Sequence, residues 1–284
     1  MSELNTFNAQ YAIFCYTVNM KSLNRTLIEK AGYDNGFEIT PKSDLSVVSL
    51  SSSLHPITVD ISEGNHEDSY VLQFSDNLSL TELKRGLNKE LFLNDKIEVW
   101  NRELLGIVLK RVAELGISLP DGPIRLYNEQ LDEYLKKNPV EGPISNETAK
   151  SMFQGTEREQ LVKQRIGQDV FRDALFKYWK GCCAVTSLNI PEMLRASHIK
   201  PWADCDNDSD RLNVYNGFLL SANFDALFDK GLITFDNKGF VIYSSKLNGG
   251  QIRDFGGDKF KALNWIDERH LPFLEWHRDH VFKG

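Results

Sequence analysis

The chain lacks a C-x-x-C pair, although it contains 4 cysteines in 284 residues. Structural zinc ribbons require such pairs, and small secreted domains require a dense disulfide framework, so the sequence favours neither class. We expect reduced thiols at all of these positions: Cys15, Cys182, Cys183 and Cys205.

The chain also lacks a run of about 18 apolar residues. Its first residues show no basic region followed by an apolar stretch, which is the pattern of a secretory signal. With 41% hydrophobic and 26% charged residues, the composition is typical of a soluble globular protein. The sequence therefore predicts a cytoplasmic protein that does not enter a membrane, with one large domain or two ordinary ones.

Positive charge is not in excess, because the formal net charge is -7. Residues 1–150 carry 15 Lys or Arg against 22 Asp or Glu, whereas the remaining residues carry 18 of each kind. Non-specific affinity for a polyanion comes from cations that displace counterions. We therefore expect a nucleic acid, if one is bound, to contact the second half of the chain.

The first region predicts an α+β fold. Short alternating stretches at 11–18, 44–50, 56–61 and 69–74 predict strands. The apolar period then changes to three and four residues, which predicts a helix over 94–115 that Gly116 and Pro120 close. We place an α+β N-terminal domain at 1–140 and a linker at 141–156, since the linker is rich in Pro, Gly and polar residues.

The second region begins with a strongly periodic helix over 156–181, for which Thr156 and Glu159 form a capping-box pattern. A short strand over 182–187 is then expected to pair with an antiparallel strand over 194–200. A short helix over 221–231 and a hairpin over 232–244 follow. We assign 157–284 to a second domain.

Two acidic residues lie on the same face of the predicted short helix, because Asp225 and Asp229 are four positions apart. Like charges at this spacing repel each other unless a cation lies between them. A hard divalent ion such as Mg²⁺ would reverse the sign of the interaction. A solvated acidic face is the alternative interpretation.

A single histidine, His198, lies in the predicted strand "RASHIK". Taken alone, such a histidine is more often a hydrogen-bonded structural residue than a catalyst. Asn216 follows 18 positions later, and the two aspartates come after it. In this order the blocks "RIGQDVFRDAL", "CAVTS", "ASHIKPW", "RLNVYNGFLLSANFDALFDKGLITF" and "FLEWHRDHVF" resemble a bacterial branch of the HNH endonucleases, the ββα-metal nucleases.

The resemblance implies a C-terminal ββα-metal module with flanking helices, preceded by a separate N-terminal domain. It implies that His198 is the general base and that Asp225 and Asp229 hold one divalent ion. Two carboxylates match Mg²⁺ or Mn²⁺ better than zinc. Asn216 either fixes the loop that positions the base or binds the metal. Ser197 stands where many branches carry a charged metal ligand, and strand alternation predicts that its side chain points away from that of His198.

Several other polar residues have two interpretations each. Lys200 and Arg211 are the nearest cations in sequence and could hold a flanking phosphate or form ordinary surface ion pairs. Residues 204–215 begin like a calcium loop but lack its glycine and glutamate, so a solvated loop is expected. For His270, His277 and His280 we expect packing of a C-terminal helix.

The expected activity is metal-dependent hydrolysis of DNA phosphodiester bonds, in a restriction or phage-defence setting. We expect a homodimer, since two strands are to be cut, and an N-terminal domain for target choice, sensing or assembly, with a small molecule or protein as its regulator. The alternatives are a non-catalytic DNA-binding protein on an HNH scaffold and a nuclease effector gated by a signal. Analogy between families, not chemistry, carries these expectations.

Overall fold

The computed structural model describes residues 20–41, 44–66, 68–75, 77–85, 87, 89–93, 95–119, 121–138 and 157–284. The strand predicted at 11–18, the linker predicted at 141–156, and Cys15, Pro120 and Thr156 lie outside the described residues.

The first region contains a five-stranded antiparallel sheet in the order β1-β2-β3-β5-β4. Burial alternates along its strands, as in β2, where Val59 and Ile61 are buried and Asp60 is exposed. The strands predicted at 44–50, 56–61 and 69–74 are thereby confirmed, with shifted ends. The strands are β1 (Val47–Leu50), β2 (Val59–Glu63), β3 (Tyr70–Phe74), β4 (Phe92–Leu93) and β5 (Lys96–Val99).

The helix predicted over 94–115 is wrong in its first turns. Lys96–Val99 is strand β5, and helix α3 covers Arg102–Ser118, where the side chain of Asn101 caps it by accepting from the backbone N–H of Leu104. Trp100, which completed the helical period in the sequence, is 51% exposed and lies between the two elements. Gly116 is inside the helix and does not end it. Its role is close packing, because a Cβ at this position would lie only 2.9 Å from the side chain of His55.

Three further helices of the first region carry weak sequence signals. They are α1 (Ser22–Asp34), α2 (Asn77–Lys84) and α4 (Asp121–Lys137). In α1 the buried residues are Ile28 and Gly32, too few to create an apolar stripe in the sequence.

The second region begins with α5 (Glu157–Tyr178), which packs against both α3 and α4. Two antiparallel strand pairs follow: β6 (Leu194–His198) with β7 (Gly217–Ser221), and β8 (Ile233–Phe235) with β9 (Val241–Tyr243). The second pair confirms the predicted hairpin. The remaining helices are α6 (Asp208–Leu212), α7 (Ala222–Asp229), α8 (Gly249–Asp254) and α9 (Leu271–His280).

The strand predicted over 182–187 is a turn, and the partner of β6 is β7. Two backbone hydrogen bonds close the turn: the N–H of Ser187 donates to the carbonyl of Cys183, and the N–H of Cys183 donates to the carbonyl of Leu188. The buried sulfur of Cys183 also accepts from the N–H of Ser221, so this residue packs the turn onto the end of β7. β7 is the better strand partner because all five of its residues are buried.

Buried ion pairs connect the two regions. Glu82 on α2 accepts from Arg269, and Asp267 pairs with Arg85 and Arg269. Glu82 also accepts from the hydroxyl of Tyr215, at 3.1 Å. The mixture of helices with antiparallel sheets is the expected α+β class. Within the described ranges, no helix has the length and apolar content of a membrane span.

Candidate active site

The candidate site is assembled from β6, β7 and α7. His198, the last residue of β6, pairs with Gly217, the first residue of β7. Helix α7 begins directly after β7 and contacts both strands. This chain path brings His198 together with Asp225 and Asp229, which lie more than 25 positions further along the chain, in one cleft of about 630 Å³.

The imidazole of His198 is held on two sides. It stacks on Phe171 of α5 with ring centroids 3.8 Å apart. Gly217 permits this approach, because a Cβ at that position would lie 2.5 Å from the Phe171 ring. The Nε2 atom lies 2.8 Å from the backbone carbonyl of Arg211. A carbonyl can only accept, so Nε2 carries the proton and Nδ1 is left as the basic atom.

The electrostatics of the pocket keep His198 neutral. Burial lowers its pKa to about 4, although the hydrogen bond to the carbonyl of Arg211 acts in the opposite direction. Nδ1 makes no hydrogen bond to the residues that the structure describes. The ring lines the cleft, so at neutral pH it can accept a proton from a molecule bound there.

Asn216 is fully buried and its amide is completely engaged. Oδ1 accepts from the N–H of Lys200, and Nδ2 donates to the carbonyls of Lys200 and Asp210 and to the sulfur of Cys205. These bonds connect both ends of the loop that follows His198. Of the two roles considered for Asn216, the geometry matches that of fixing the loop.

Asp225 and Asp229 face Ser197 from one side of α7. The hydroxyl of Ser197 donates to Oδ1 of Asp229 at 3.4 Å, whereas His198 points to Arg211, so neighbouring side chains of β6 have different partners. Burial raises the pKa of both aspartates, and the charge of Asp225 raises that of Asp229 further. The hydrogen bonds from Ser197 lower both pKa values, but by less than burial raises them.

No cluster of three or more His, Cys, Asp or Glu side chains that could hold a metal ion occurs among the described residues. The oxygen donors present at this place are two carboxylates and one hydroxyl. A divalent ion held here would therefore need ligands from water or substrate as well, which is the usual coordination of Mg²⁺ in proteins.

Lys200 and Arg211 lie close in sequence to the base but do not line the cleft. Lys200 pairs with Asp206 at 3.1 Å. Arg211 pairs with Asp208 and donates to the carbonyls of Trp202 and Cys205. Both cations thus have local partners in the loop between β6 and β7.

Other cations line the cleft, and their positions were not predicted from the sequence. Arg172 comes from α5, Arg195 from β6, and Lys230 follows Asp229 at the end of α7. Arg195 shares the face of β6 that carries Ser197, so the period of the strand was an available signal. Arg172 had no signal of its own, because only the packing of α5 against β6 brings it to the cleft.

The C-terminal histidines serve packing. His277 is buried, and its ring stacks on Phe228 of α7 with centroids 4.0 Å apart. Its Nε2 donates to the carbonyl of Phe228, so its Nδ1 accepts from the hydroxyl of Thr234 at 3.0 Å. His270 is also buried, whereas His280 is exposed and stacks on Trp276. Helix α9 therefore supports α7 from behind, as expected for this segment.

Comparison with known proteins assigns the segment that contains this site. No curated protein matches the chain. Residues 183–236, which include β6, β7, α7 and β8, match the family model described as HNH endonuclease. Since that description indicates a nuclease, the C-terminal half of the chain contains an HNH endonuclease domain.

Proposed function

We propose that this protein is a metal-dependent DNA endonuclease that hydrolyses phosphodiester bonds. The observation that carries the proposal is the composition of one cleft: a neutral histidine with a bare Nδ1 lies beside two aspartates that have raised pKa values. A general base and a pair of carboxylates that can hold a divalent ion are the groups that metal-dependent hydrolysis of a phosphodiester uses.

His198 acts as the general base in this proposal. Phe171 and the carbonyl of Arg211 fix the ring and its tautomer, so Nδ1 can take a proton from an attacking water. An anionic phosphodiester in the cleft stabilises the imidazolium and raises its pKa, which makes the ring a better acceptor. Such a base contributes roughly 10²- to 10⁴-fold to the rate.

The two aspartates fit a divalent cation because they repel each other and have no ion-pair partner among the described residues. Asp225 and Asp229 would hold Mg²⁺ or Mn²⁺, one ion per site, with Ser197 bound to Asp229. When bound, the ion supplies positive charge against the phosphoryl and leaving oxygens. Hard carboxylate oxygens select these ions over softer metals.

Arg172 and Arg195 orient the substrate. Each guanidinium already donates to backbone carbonyls near β6, so its position is fixed before a ligand enters. A guanidinium has five N–H donors and can therefore still present some of them to a phosphate. Lys200 and Arg211 stay with the loop in this proposal, and Asn216 holds that loop closed.

We place the activity in restriction or phage defence, in the cytoplasm and as a homodimer, with residues 1–140 for target choice, sensing or assembly. The hydrogen bond between Glu82 and Tyr215 supports a role for this region, because Tyr215 is adjacent to Asn216. A small molecule or protein that binds residues 1–140 could in this way alter the loop beside the base.

The test is cleavage of supercoiled plasmid by the full chain with Mg²⁺, Mn²⁺ or EDTA. We expect nicked or linear product with either ion and none with EDTA. His198→Ala should lower the rate roughly 10²- to 10⁴-fold. His280→Ala is the matched control, since His280 is exposed and outside the cleft, and it should cut like the wild type.

The non-catalytic alternative predicts plasmid binding without cleavage at any ion concentration, and that result would reject the proposal. Cleavage that survives EDTA or His198→Ala would reject the site but not the class of enzyme. Addition of nucleotide second messengers to an inactive sample tests the gated alternative, which predicts that one of them starts cleavage.

A further inference from the structure

A second cleft, of about 570 Å³, lies between α3 and the C-terminal end of α5. Four cations line it, Lys110, Arg111, Lys177 and Lys180, together with a single carboxylate, Glu114. The chain as a whole is acidic, with a formal net charge of -7. A local excess of cations on an acidic protein is the electrostatic signature of a site for an anion. We call this cleft the lysine groove.

Two of the four cations that line the lysine groove have no carboxylate partner among the described residues. The guanidinium of Arg111 is buried, pairs with Glu114 at 3.3 Å, and donates to the carbonyls of Lys177 and Tyr178. The one carboxylate among the residues that line the groove, Glu114, therefore already forms an ion pair with Arg111. Lys110 and Lys177 have no ion pair with any residue in the described part of the chain. The lysine groove therefore presents net positive charge to whatever enters it.

Two further features of the lysine groove suit a polyanion. Burial, and then the charge of Arg111, lower the pKa of Lys180, so this ammonium gains from a nearby anion. The side chains of Ile107 and Phe176 provide an apolar wall, and Ile107 is 51% exposed. The apolar wall and the cations together match a sugar-phosphate chain, which has both apolar sugar surfaces and anionic phosphates.

The lysine groove and the candidate active site are adjacent along α5, where a residue of one cleft contacts a residue of the other. Arg172 lines the active-site cleft, and its guanidinium lies over the ring of Phe176 at 4.5 Å from the centroid. Phe176 in turn lines the lysine groove. At about 1.5 Å per residue, Arg172 and Lys177 are roughly 7–8 Å apart along the helix axis. This length corresponds to about two nucleotide steps of one DNA strand.

We propose that the lysine groove binds the sugar-phosphate backbone of DNA on one side of the bond that is cut. The inference rests on the proposed function, because it takes the substrate of the neighbouring cleft to be DNA. It assigns a binding role to α3, which belongs to the first region of the chain. One DNA strand would run from the active-site cleft past Arg172 and Phe176 to Lys177 and Lys110.

The test measures binding of a fluorescent DNA duplex by anisotropy, in EDTA and over a range of salt concentrations, with the full chain carrying His198→Ala. On that background, Lys110→Gln with Lys177→Gln should weaken binding by about 10-fold or more. It should also reduce the slope of log K against log salt by about 2, which is close to one per phosphate contact. Both variants should retain the thermal transition of the parent protein.

The matched control is Lys136→Gln with Lys137→Gln, which removes the same charge from the exposed end of α4, outside both clefts. We expect the salt slope of this control to change by less than half as much. An equal loss in both double variants, or no loss in the groove variant, would overturn the inference. So would binding of a mononucleotide or inorganic phosphate in the groove without any binding of duplex.

Plasmid cleavage by the wild type separates this inference from the proposed function. Cleavage with a groove variant that binds normally would overturn the groove and keep the nuclease. Groove-dependent binding without cleavage under any divalent ion would keep the groove and overturn the nuclease. Absence of both binding and cleavage would overturn both.

Discussion

Two pairs of carboxylates in this protein have opposite surroundings. Glu82 and Asp267, between the two regions of the chain, contact Arg85 and Arg269. Asp225 and Asp229, in the HNH domain, have no ion pair with the described residues. The hydroxyl of Ser197 and the charges of Arg195 and Lys230 lower their pKa values, but these effects are smaller than the effect of burial. Both pairs are at least partly buried, so burial alone does not distinguish them.

The pKa values show the consequence of this difference. Burial raises the pKa of Asp267, but hydrogen bonds from Arg269 and Arg85 outweigh it and hold that pKa well below its usual range. Burial raises the pKa of Asp225 and Asp229 without such compensation. The negative charges of the first pair, which we call the complete pair, are balanced by arginines, and this pair stabilises the contact between the regions. The charges of the second pair, the incomplete pair, are not balanced by ion pairs, and a cation from outside the chain would balance them.

The largest effect is expected when the complete pair is broken. Glu82→Gln leaves Arg269 and Arg85 with less negative charge in a buried place, and we expect a loss of about 3–5 kcal/mol in the free energy of unfolding. Urea unfolding measures it. Glu133→Gln is the control, since Glu133 forms an exposed ion pair with Lys137, and it should cost less than about 0.5 kcal/mol. Equal effects of the two changes would contradict the comparison.

The incomplete pair should respond in the opposite way. Asp229→Asn removes a charge that repels Asp225, so we expect an unchanged or slightly higher free energy of unfolding. DNA cleavage, in contrast, should fall by at least about 10²-fold, because the cation loses a ligand. Plasmid cleavage and urea unfolding are measured on the same preparation. Asp279→Asn, on the exposed face of α9, is the control, and a fall in stability without a fall in cleavage would refute the assignment.

Acid should destabilise the second region of the chain before it affects the ion pairs between the regions. Burial lowers the pKa of His270 and His277 to about 4. In the unfolded chain these residues titrate near their ordinary pKa of about 6.5, so the unfolded state binds more protons between these values. The stability they contribute is fully present above pH ~6.5 and is lost as the pH falls towards 4, by on the order of 1–3 kcal/mol each.

The measurement is the urea midpoint as a function of pH. His277→Gln should flatten the slope between pH 6.5 and 4, whereas His280→Gln, at an exposed position, should not. Asp267 has the opposite dependence: its lowered pKa contributes stability that is lost only below about pH 4. A stability profile that is flat down to pH 4 would show that the two histidines are not held neutral.

The smallest effect is expected from the divalent ion itself. A ligand that binds only the folded state at ten times its Kd adds about 1.4 kcal/mol. Mg²⁺ should therefore raise the Tm of the wild type by a few degrees in differential scanning fluorimetry. The increase should disappear in Asp225→Asn with Asp229→Asn, and an equal increase in that variant would place the ion elsewhere.

Local sequence patterns predicted the elements near the candidate site well. The helix after β7 and the hairpin β8–β9 occur where their apolar periods and turn residues indicated. The pattern failed over 94–115, because Ile97 and Trp100 happen to continue the helical period of α3. It failed again at 182–187, where a short apolar run is compatible with either a strand or a buried turn.

The candidate site also has features that local sequence patterns predicted and features that they did not. The four-residue spacing on one short helix was sufficient to place Asp225 and Asp229 together. No spacing indicated that Glu82, more than one hundred positions away, would bond to Tyr215. The charge count by halves likewise located cations in the second half, whereas the lysine groove combines Lys110 of α3 with Lys177 of α5.

The sequence by itself determined the order of His198, Asn216 and the two aspartates, and the helix that carries both aspartates, because these depend on local periodicity and residue type. Tertiary structure alone decided which carboxylates are compensated, which nitrogen of His198 is basic, and which cations share a cleft. These properties depend on burial and on partners from distant elements, such as the carbonyl of Arg211 and the ring of Phe171. Electrostatic energies vary with distance and dielectric surroundings, and the linear chain specifies neither until it has folded.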